Sequence, residues 1–316
     1  MNKALGLKKE DHSDNNFNKL LLRCDYLKRQ KVVAHVYFCL RALNNGENNE
    51  KVKYAYAIFS RIYSCSKIIK NIIESNDLLS WDRQIISIMA RCIMEASEML
   101  FFICLENISD KEKAMRIISL NLNFLKDNFT GYEKLEKALI QQNATPEKIK
   151  KVQSHKNKCE RLMYLQQQNA KSNPYLEMVG KRKDKVLRGQ CRYFHLKYPS
   201  EEMRDWIEKQ MNVLPNFHKL AYQEFSSMVH PYSIVGSVNY GGSPAYYKEV
   251  DDINLMSVIE DCTSYLIYSA RETIDKILFA ELKDSLGSKL ENLRKIRKTI
   301  DEPRLKVKYV ITQIKI

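Results

Sequence analysis

The chain has 316 residues, of which 44% are apolar, with only 9 Gly and 7 Pro. This composition supplies apolar side chains for a sizeable core but too few turn residues for a β-sandwich or barrel, so it indicates a mainly helical protein. Folding needs no such excess as the formal net charge of +14, which therefore indicates an anionic partner. The alternative is the general lysine bias of an AT-rich, bacterial genome.

The eight cysteines indicate a reducing compartment. They are scattered with no CxxC or CxH spacing, so we expect free thiols and neither a metal site nor a cofactor. No stretch approaches 18 uninterrupted apolar residues, and no secretory hydrophobic segment precedes the helical pattern. We therefore expect a cytoplasmic protein with no membrane partner.

Apolar residues recur at three- and four-residue spacing along most of the chain, which is typical of helices. Residues 1–16 are predicted to be disordered, and a single helical domain is predicted over 17–300. Its first helices are expected over about 17–43, 50–74 and 81–106, the last one apolar nearly all round and therefore central and buried. Ser109 and Glu112 form a capping-box pattern that begins the next helix, toward Asn128.

The second half continues the helical pattern around a basic insert at 147–192. Thr145 and Pro146 have the residue types of an N-cap and a first helical position, and the helix that follows is expected to pair with 131–142 as a hairpin. The pattern then predicts helices after Ser200 and over 216–230, a loop over 233–245, and helices over 251–278 and on to 300.

Alternation with period two after Pro303 predicts a strand-like tail over 301–316. Three fates fit such a lone strand: pairing with another subunit, pairing with a minor strand elsewhere in the chain, or a β-prone tail that stays unpaired.

The basic charge is concentrated in the insert, where thirteen Lys or Arg face four acidic residues. Basic residues interleaved with aromatic ones, as in the run that ends at Tyr193 and Phe194, suit contacts with single-stranded nucleic acid. The alternative is a solvated helix face. The predicted nucleic-acid-binding residues are Lys181, Arg182, Lys183, Lys185, Arg188 and Arg192.

Two polar islands interrupt the apolar pattern. Arg91 and Glu95 share a helix face at i and i+4, in the order less favourable to the helix dipole and among apolar neighbours, so we expect this pair in the interior. His230 ends a later helix, one turn after Ser227 and two turns after Tyr222. Because isolated polar groups are costly in apolar surroundings, we predict that the two islands meet.

The islands support two interpretations. In the first, His230 is a general acid–base and Arg91 holds a phosphate or another anion, a combination that can cleave RNA without a metal. Glu95 then orients the imidazole or the arginine, and Ser227 and Tyr222 supply hydrogen bonds. In the second, the same residues form a buried polar clasp between two helices. A Ser–His–Glu hydrolase fits less well, because the chain has no GxSxG nucleophile elbow.

The Arg91-x-x-x-Glu95 helix and the later Ser227-x-x-His230-Pro231 motif resemble the bacterial domain-of-unknown-function 5677 family, over roughly 17–274. The resemblance implies a mainly helical protein that pairs an R-x-x-x-E helix with an S-x-x-H helix, and no particular activity. A looser similarity is to helical ribonuclease effectors of the HEPN type, which imply toxin–antitoxin or antiviral defence roles. Their R-x4–6-H helix differs from this chain, in which no Arg lies four to seven residues before His230.

These patterns predict an all-α multi-helix bundle with a basic helical insert. The leading functional hypothesis is a bacterial defence or toxin-type effector that binds nucleic acid, RNA in particular, and cleaves it by metal-independent chemistry. The alternative is a non-catalytic helical scaffold or a regulatory subunit of a complex. In both cases we expect a protein partner or a homo-oligomer.

Overall fold

A computed structural model describes residues 11–46, 49–74, 83–191, 208, 244–281 and 288–301. The described residues are helical almost throughout, with no β-strand among them, which confirms the all-α class. The chain divides into two compact units, one comprising Met1–Leu105 with Met211–Ile316 and the other Glu106–Gln210. The second unit, which contains the basic insert, has a small core of its own, and the single domain over 17–300 stays a prediction.

The elements follow one another as long helices with a few short turns. In chain order the α-helices are α1 (Asp11–Gly46), α2 (Glu50–Glu74), α3 (Arg83–Leu100), α4 (Asp110–Gln141), α5 (Pro146–Lys171), α6 (Tyr175–Met178), α7 (Lys183–Leu187), α8 (Pro244–Thr273), α9 (Phe279–Glu281) and α10 (Ser288–Asp301). Between them lie π-helical turns at Phe101–Leu105 and Ile274–Leu278 and a 3-10 turn at Gly180–Arg182.

Four helices form the core of the first unit. Helix α1 packs against α2 and α8, and α3 packs against the same two helices, so the four close into a bundle. Each helix buries an apolar stripe at helical spacing, such as Val33, Val36 and Leu40 on α1. Ser97 of α3 and Ser269 of α8 are buried and satisfy each other through a hydrogen bond of 2.8 Å.

Two arginines hold the C-terminal helix α10 against its neighbours. Arg29 of α1 is buried, pairs with Asp25 at 3.3 Å and donates from Nη1 to the Thr299 carbonyl at 2.6 Å. The last carbonyls of a helix lack partners within it, so Arg29 also caps the end of α10. Arg297 of α10 binds Asp275 through Nε and Nη2, at 2.8 and 2.9 Å.

Some helix ends follow the predicted signals. The bounds of α2 agree with the prediction, and Ser109 is the N-cap of α4, accepting a hydrogen bond of 3.2 Å from the Glu112 amide, which confirms the capping signal. Thr145 is the N-cap of α5 with Pro146 in its first turn, although the threonine side chain makes no capping hydrogen bond.

Other ends differ. Helix α1 begins at Asp11 rather than Phe17, so part of the segment predicted to be disordered is helical. Helix α4 passes Asn128 and runs to Gln141 as one helix of 32 residues, because Gly131 is tolerated in its interior. Helix α8 begins at Pro244, inside the predicted loop over 233–245.

The remaining predictions concern parts of the chain outside the described residues. These are the helices after Ser200 and over 216–230 (apart from Glu208, which is helical) and the tail strand over 301–316 (apart from Asp301, which ends α10). Within the described ranges, no helix has the length and the apolar character needed to cross a membrane.

Candidate functional site

The Arg91–Glu95 pair lies on α3, where the structure corrects the prediction that it is interior. Arg91 Nε contacts Glu95 Oε1 at 3.0 Å, yet the two side chains are 28% and 52% exposed. The reason is that α3 is amphipathic rather than apolar all round. Its buried residues, such as Ile86 and Ile93, face the bundle, while the ion pair lies on the side that meets solvent.

Arg61 of α2 lies beside this pair, although no pattern in the sequence indicated it as a site residue. Its Nη2 is 3.7 Å from the Cys92 sulfur. The hydrogen bond to Cys92, together with the charge of Glu95, raises the pKa of Arg61. Two guanidinium groups and one carboxylate therefore share this part of the α2–α3 surface. That arrangement has an excess of positive charge and can accept an anion from solvent.

Only part of the predicted catalytic set lies within the described residues. Arg91 and Glu95 are placed, whereas His230, Ser227 and Tyr222 lie outside the described ranges. The predicted meeting of the two polar islands therefore stays a prediction.

In the second unit, α4 and α5 form the antiparallel hairpin that the sequence predicted. Glu136 of α4 binds Lys156 and accepts a hydrogen bond of 2.8 Å from Gln153, both on α5. Next to them the rings of Tyr132 and His155 stack, with centroids 5.5 Å apart. These contacts fix the relative register of the two helices.

The basic run after α5 folds back onto α4 instead of trailing as a loose charged segment. A small core holds it, made of Met115, Ala170, Leu176, Val179, Val186 and Cys191. Polar side chains of α4 and α5 also hold carbonyls at and after the end of α7: Gln167 donates to Leu187 (2.9 Å), Asn123 to Gly189 (3.0 Å) and Ser119 to Cys191 (3.0 Å).

Five of the six predicted nucleic-acid-binding residues lie on this anchored run. Lys181, Lys185 and Arg188 are exposed. Arg182 and Lys183 are partly exposed, and Lys183 pairs with Glu177. The sixth predicted residue, Arg192, lies outside the described residues. The run therefore presents cationic side chains from a backbone whose position is defined by packing and hydrogen bonds.

The outer face of α5 also carries positive charge. Lys151, Lys158 and Arg161 follow one another at helical spacing, and all three are exposed. Large apolar side chains lie exposed on the same helix, with Tyr164 at 60% and Leu165 at 47%. The surface of α5 therefore offers both cations and apolar area.

A buried ionic cluster near the start of α4 was also missed. Arg116 is fully buried and pairs with Glu106 and, at 2.6 Å, with Glu112. Burial, followed by the hydrogen bond to Glu112, raises the pKa of Tyr175 to about 12. Glu112 and Arg116 are spaced at i and i+4, but nothing local in the sequence marks them as buried. This cluster stabilises the packing of α6 on α4.

The described residues define an all-helical protein with a cationic helical unit and, among them, no group of three or more His, Cys, Asp or Glu side chains placed to hold a metal ion. No family model, curated protein or solved structure matches this chain. Its function is therefore inferred from its own residues.

Proposed function

We propose that the chain is a bacterial defence or toxin-type effector whose second unit binds nucleic acid, RNA in particular. The observation that carries this proposal is the set of exposed cations on the anchored run, to which the exposed cations of α5 add. Within the described residues, Lys181, Lys185 and Arg188 have no carboxylate partner. Their charges are therefore available to an external anion.

The anchoring of the run favours a binding surface over a solvated charge run. A charged segment that only keeps a protein soluble needs no fixed backbone, whereas phosphate contacts gain from cations that are already held in place. Here three side-chain hydrogen bonds and the small core determine where the run lies.

The charge balance of the second unit supports the same conclusion. Residues 106–191 contain eighteen Lys or Arg and ten Asp or Glu. Some of these charges pair within the unit: Glu106 and Glu112 share Arg116, and Glu136 pairs with Lys156. Much of the remaining positive charge lies at the surface, where a polyanion can reach it.

The test combines charge reversal with salt dependence. Fluorescence anisotropy measures the affinity for a labelled single-stranded RNA. It compares the unaltered protein with the variant Lys181→Glu/Lys185→Glu/Arg188→Glu. Each lost phosphate contact should reduce the slope of log K against log salt by about 0.7. Loss of three contacts therefore predicts a slope reduced by about 2 and a weaker affinity at low salt.

A matched control applies the same change in charge to the first unit. The variant Arg294→Glu/Lys295→Glu/Lys298→Glu alters exposed residues of α10 and should leave most of the RNA affinity and salt dependence in place. Equal losses in both variants would show that net charge alone attracts RNA. Binding that does not change with salt would contradict the proposal.

In the catalytic part of the proposal, His230 is the general acid–base. Arg91, with Arg61 beside it, holds the anion. Glu95 orients either the His230 imidazole or the Arg91 guanidinium. The exposure of Arg91 and Glu95 supports a site rather than a clasp, because a substrate phosphate reaches a surface pair without opening the core. We expect His230→Ala to abolish RNA cleavage or cellular toxicity with little change in melting temperature. A melting temperature several degrees lower, with no activity to lose, would favour the clasp.

A scaffold or regulatory subunit is the second candidate, and exposed apolar residues of the second unit favour it. Phe124, Ile140, Tyr164 and Met178 are 64%, 54%, 60% and 76% exposed. A contiguous exposed apolar patch marks a contact with another protein, and these side chains would contribute to one. Concentration-dependent association in sedimentation velocity, lost in Tyr164→Ala while RNA affinity is unchanged, would support this candidate.

A further inference from the structure

A column of stacked tyrosines lies at the seam between α1 and α2 in the first unit. Tyr37 of α1 stacks on Tyr56 and on Tyr63, which are two turns apart on α2, with centroid distances of 5.8 and 4.3 Å. The ring planes are within 23° and 10° of parallel. Phe38 meets Tyr37 and Tyr63 edge-on and is 53% exposed. The proposed function uses none of these rings.

The helices around the column are strongly basic. Helices α1 and α2 together contain eleven Lys or Arg and five Asp or Glu, of which Asp25 and Glu74 pair with Arg29 and Lys70. The exposed basic residues of α1 and α2 are Lys28, Lys31, Arg41, Lys53, Arg61 and Lys67. A helix pair gains no stability from such an excess, because like charges repel each other. The excess therefore indicates an anionic partner for this surface.

The two features together select the kind of partner. An acidic peptide would satisfy the charges but has no general use for stacked rings. An apolar protein partner would use the rings, but the centre of such an interface is normally depleted of lysine. Single-stranded nucleic acid presents both flat bases and phosphates. The bases can stack on the exposed Phe38 beside the tyrosine column, and the phosphates can contact the surrounding cations.

We propose that the α1–α2 seam is a second nucleic-acid-binding surface that stacks bases of a single strand on Phe38 and the adjoining tyrosines. Arg41, one turn after Tyr37, and Lys67, one turn after Tyr63, are both exposed and contact the phosphates. This surface lies in the first unit and extends the proposed function, whose RNA-binding surface lies on the second.

The experiment separates base stacking from phosphate contact. Full-length protein is titrated into two labelled probes of about twelve nucleotides, the scale of one single-strand site. One probe is single-stranded RNA, and the other has the same backbone with abasic positions throughout. We expect Phe38→Leu to weaken binding of the RNA probe by about fivefold to a hundredfold and to leave the abasic probe unchanged. Phe38→Trp, which enlarges the stacking surface, should bind RNA at least as tightly as the original.

The matched control is Phe124→Leu, because Phe124 is an equally exposed phenylalanine of the second unit. It should leave both probes unaffected. Since Phe38 is more than half exposed, its leucine variant is expected to keep its melting temperature, which circular dichroism checks.

Three results would overturn the inference, and they are distinguishable. If Phe38→Leu binds RNA normally while the Lys181/Lys185/Arg188 reversal weakens it, the seam is not a binding surface and the proposed function stands. If the unaltered protein binds neither probe, the proposed function fails and the seam proposal fails with it. If Phe38→Leu instead dissociates a dimer in sedimentation velocity without changing RNA affinity, the seam is a contact between copies of the chain.

Discussion

Gly189 ends the anchored basic run in a left-handed backbone conformation, with φ of 66°. A Cβ atom at this position would lie 2.6 Å from the Leu122 carbonyl oxygen and 3.0 Å from Lys126 Cβ. The carbonyl belongs to the backbone of α4 and has little freedom to move. We therefore predict that Gly189→Ala destabilises the docking of the run on α4 and weakens RNA binding with it.

Alanine substitutions at two other glycines distinguish the two causes of the lost stability, which are left-handed backbone strain and the clash of the new Cβ atom. Gly180 also has a positive φ, of 61°, but a Cβ there meets nothing within 4 Å, and the same is true of Gly131 inside α4. Gly131→Ala should stabilise the unit by roughly 0.5–1 kcal/mol. Gly180→Ala should lose about 1–2 kcal/mol to left-handed strain. Gly189→Ala adds an overpacking loss of about 1–3 kcal/mol, for a total of about 2–5 kcal/mol.

Hydrogen–deuterium exchange on the full-length protein measures these local free energies. Peptides covering 119–126 and 181–191 report on the docking, since Asn123 holds the Gly189 carbonyl at 3.0 Å. Protection should decrease in the order Gly131→Ala, original chain, Gly180→Ala, Gly189→Ala. Equal losses of protection in Gly180→Ala and Gly189→Ala would refute the clash with Leu122. Unchanged protection in Gly189→Ala would refute the docking of the run on α4.

Two further predictions concern the buried cluster around Arg116. Arg116→Met leaves Glu106 and Glu112 buried without their cation and should lower the free energy of unfolding by about 3–5 kcal/mol in chemical denaturation, whereas adding Glu106→Gln and Glu112→Gln should restore much of it. An equally unstable triple variant would contradict this. Tyr175, whose pKa is raised to about 12, stabilises the fold as a neutral phenol below its unfolded pKa of about 10, and this contribution is lost as the pH rises through the folded pKa. Stability should thus fall more steeply at alkaline pH in the original chain than in Tyr175→Phe, and identical slopes would disprove the coupling.

Local signals predicted local structure well. The bounds of α2 and the N-cap at Ser109 were predicted from residues within one or two turns, because capping and helical periodicity depend on near neighbours. The spacing of Arg91 and Glu95 likewise predicted their ion pair. Their burial was predicted wrongly, because apolar neighbours along one helix do not reveal which face the surrounding helices cover.

The sequence by itself determined the helical class, the places where several helices begin, and the concentration of positive charge in two stretches of the chain. Only the tertiary structure decided which residues from different helices meet. It brought Arg61 to Cys92, buried Arg116 between two glutamates, and stacked Tyr37 on two tyrosines of α2. The physical reason is that helix formation depends on side chains three and four residues apart, whereas these meetings depend on how whole helix faces pack.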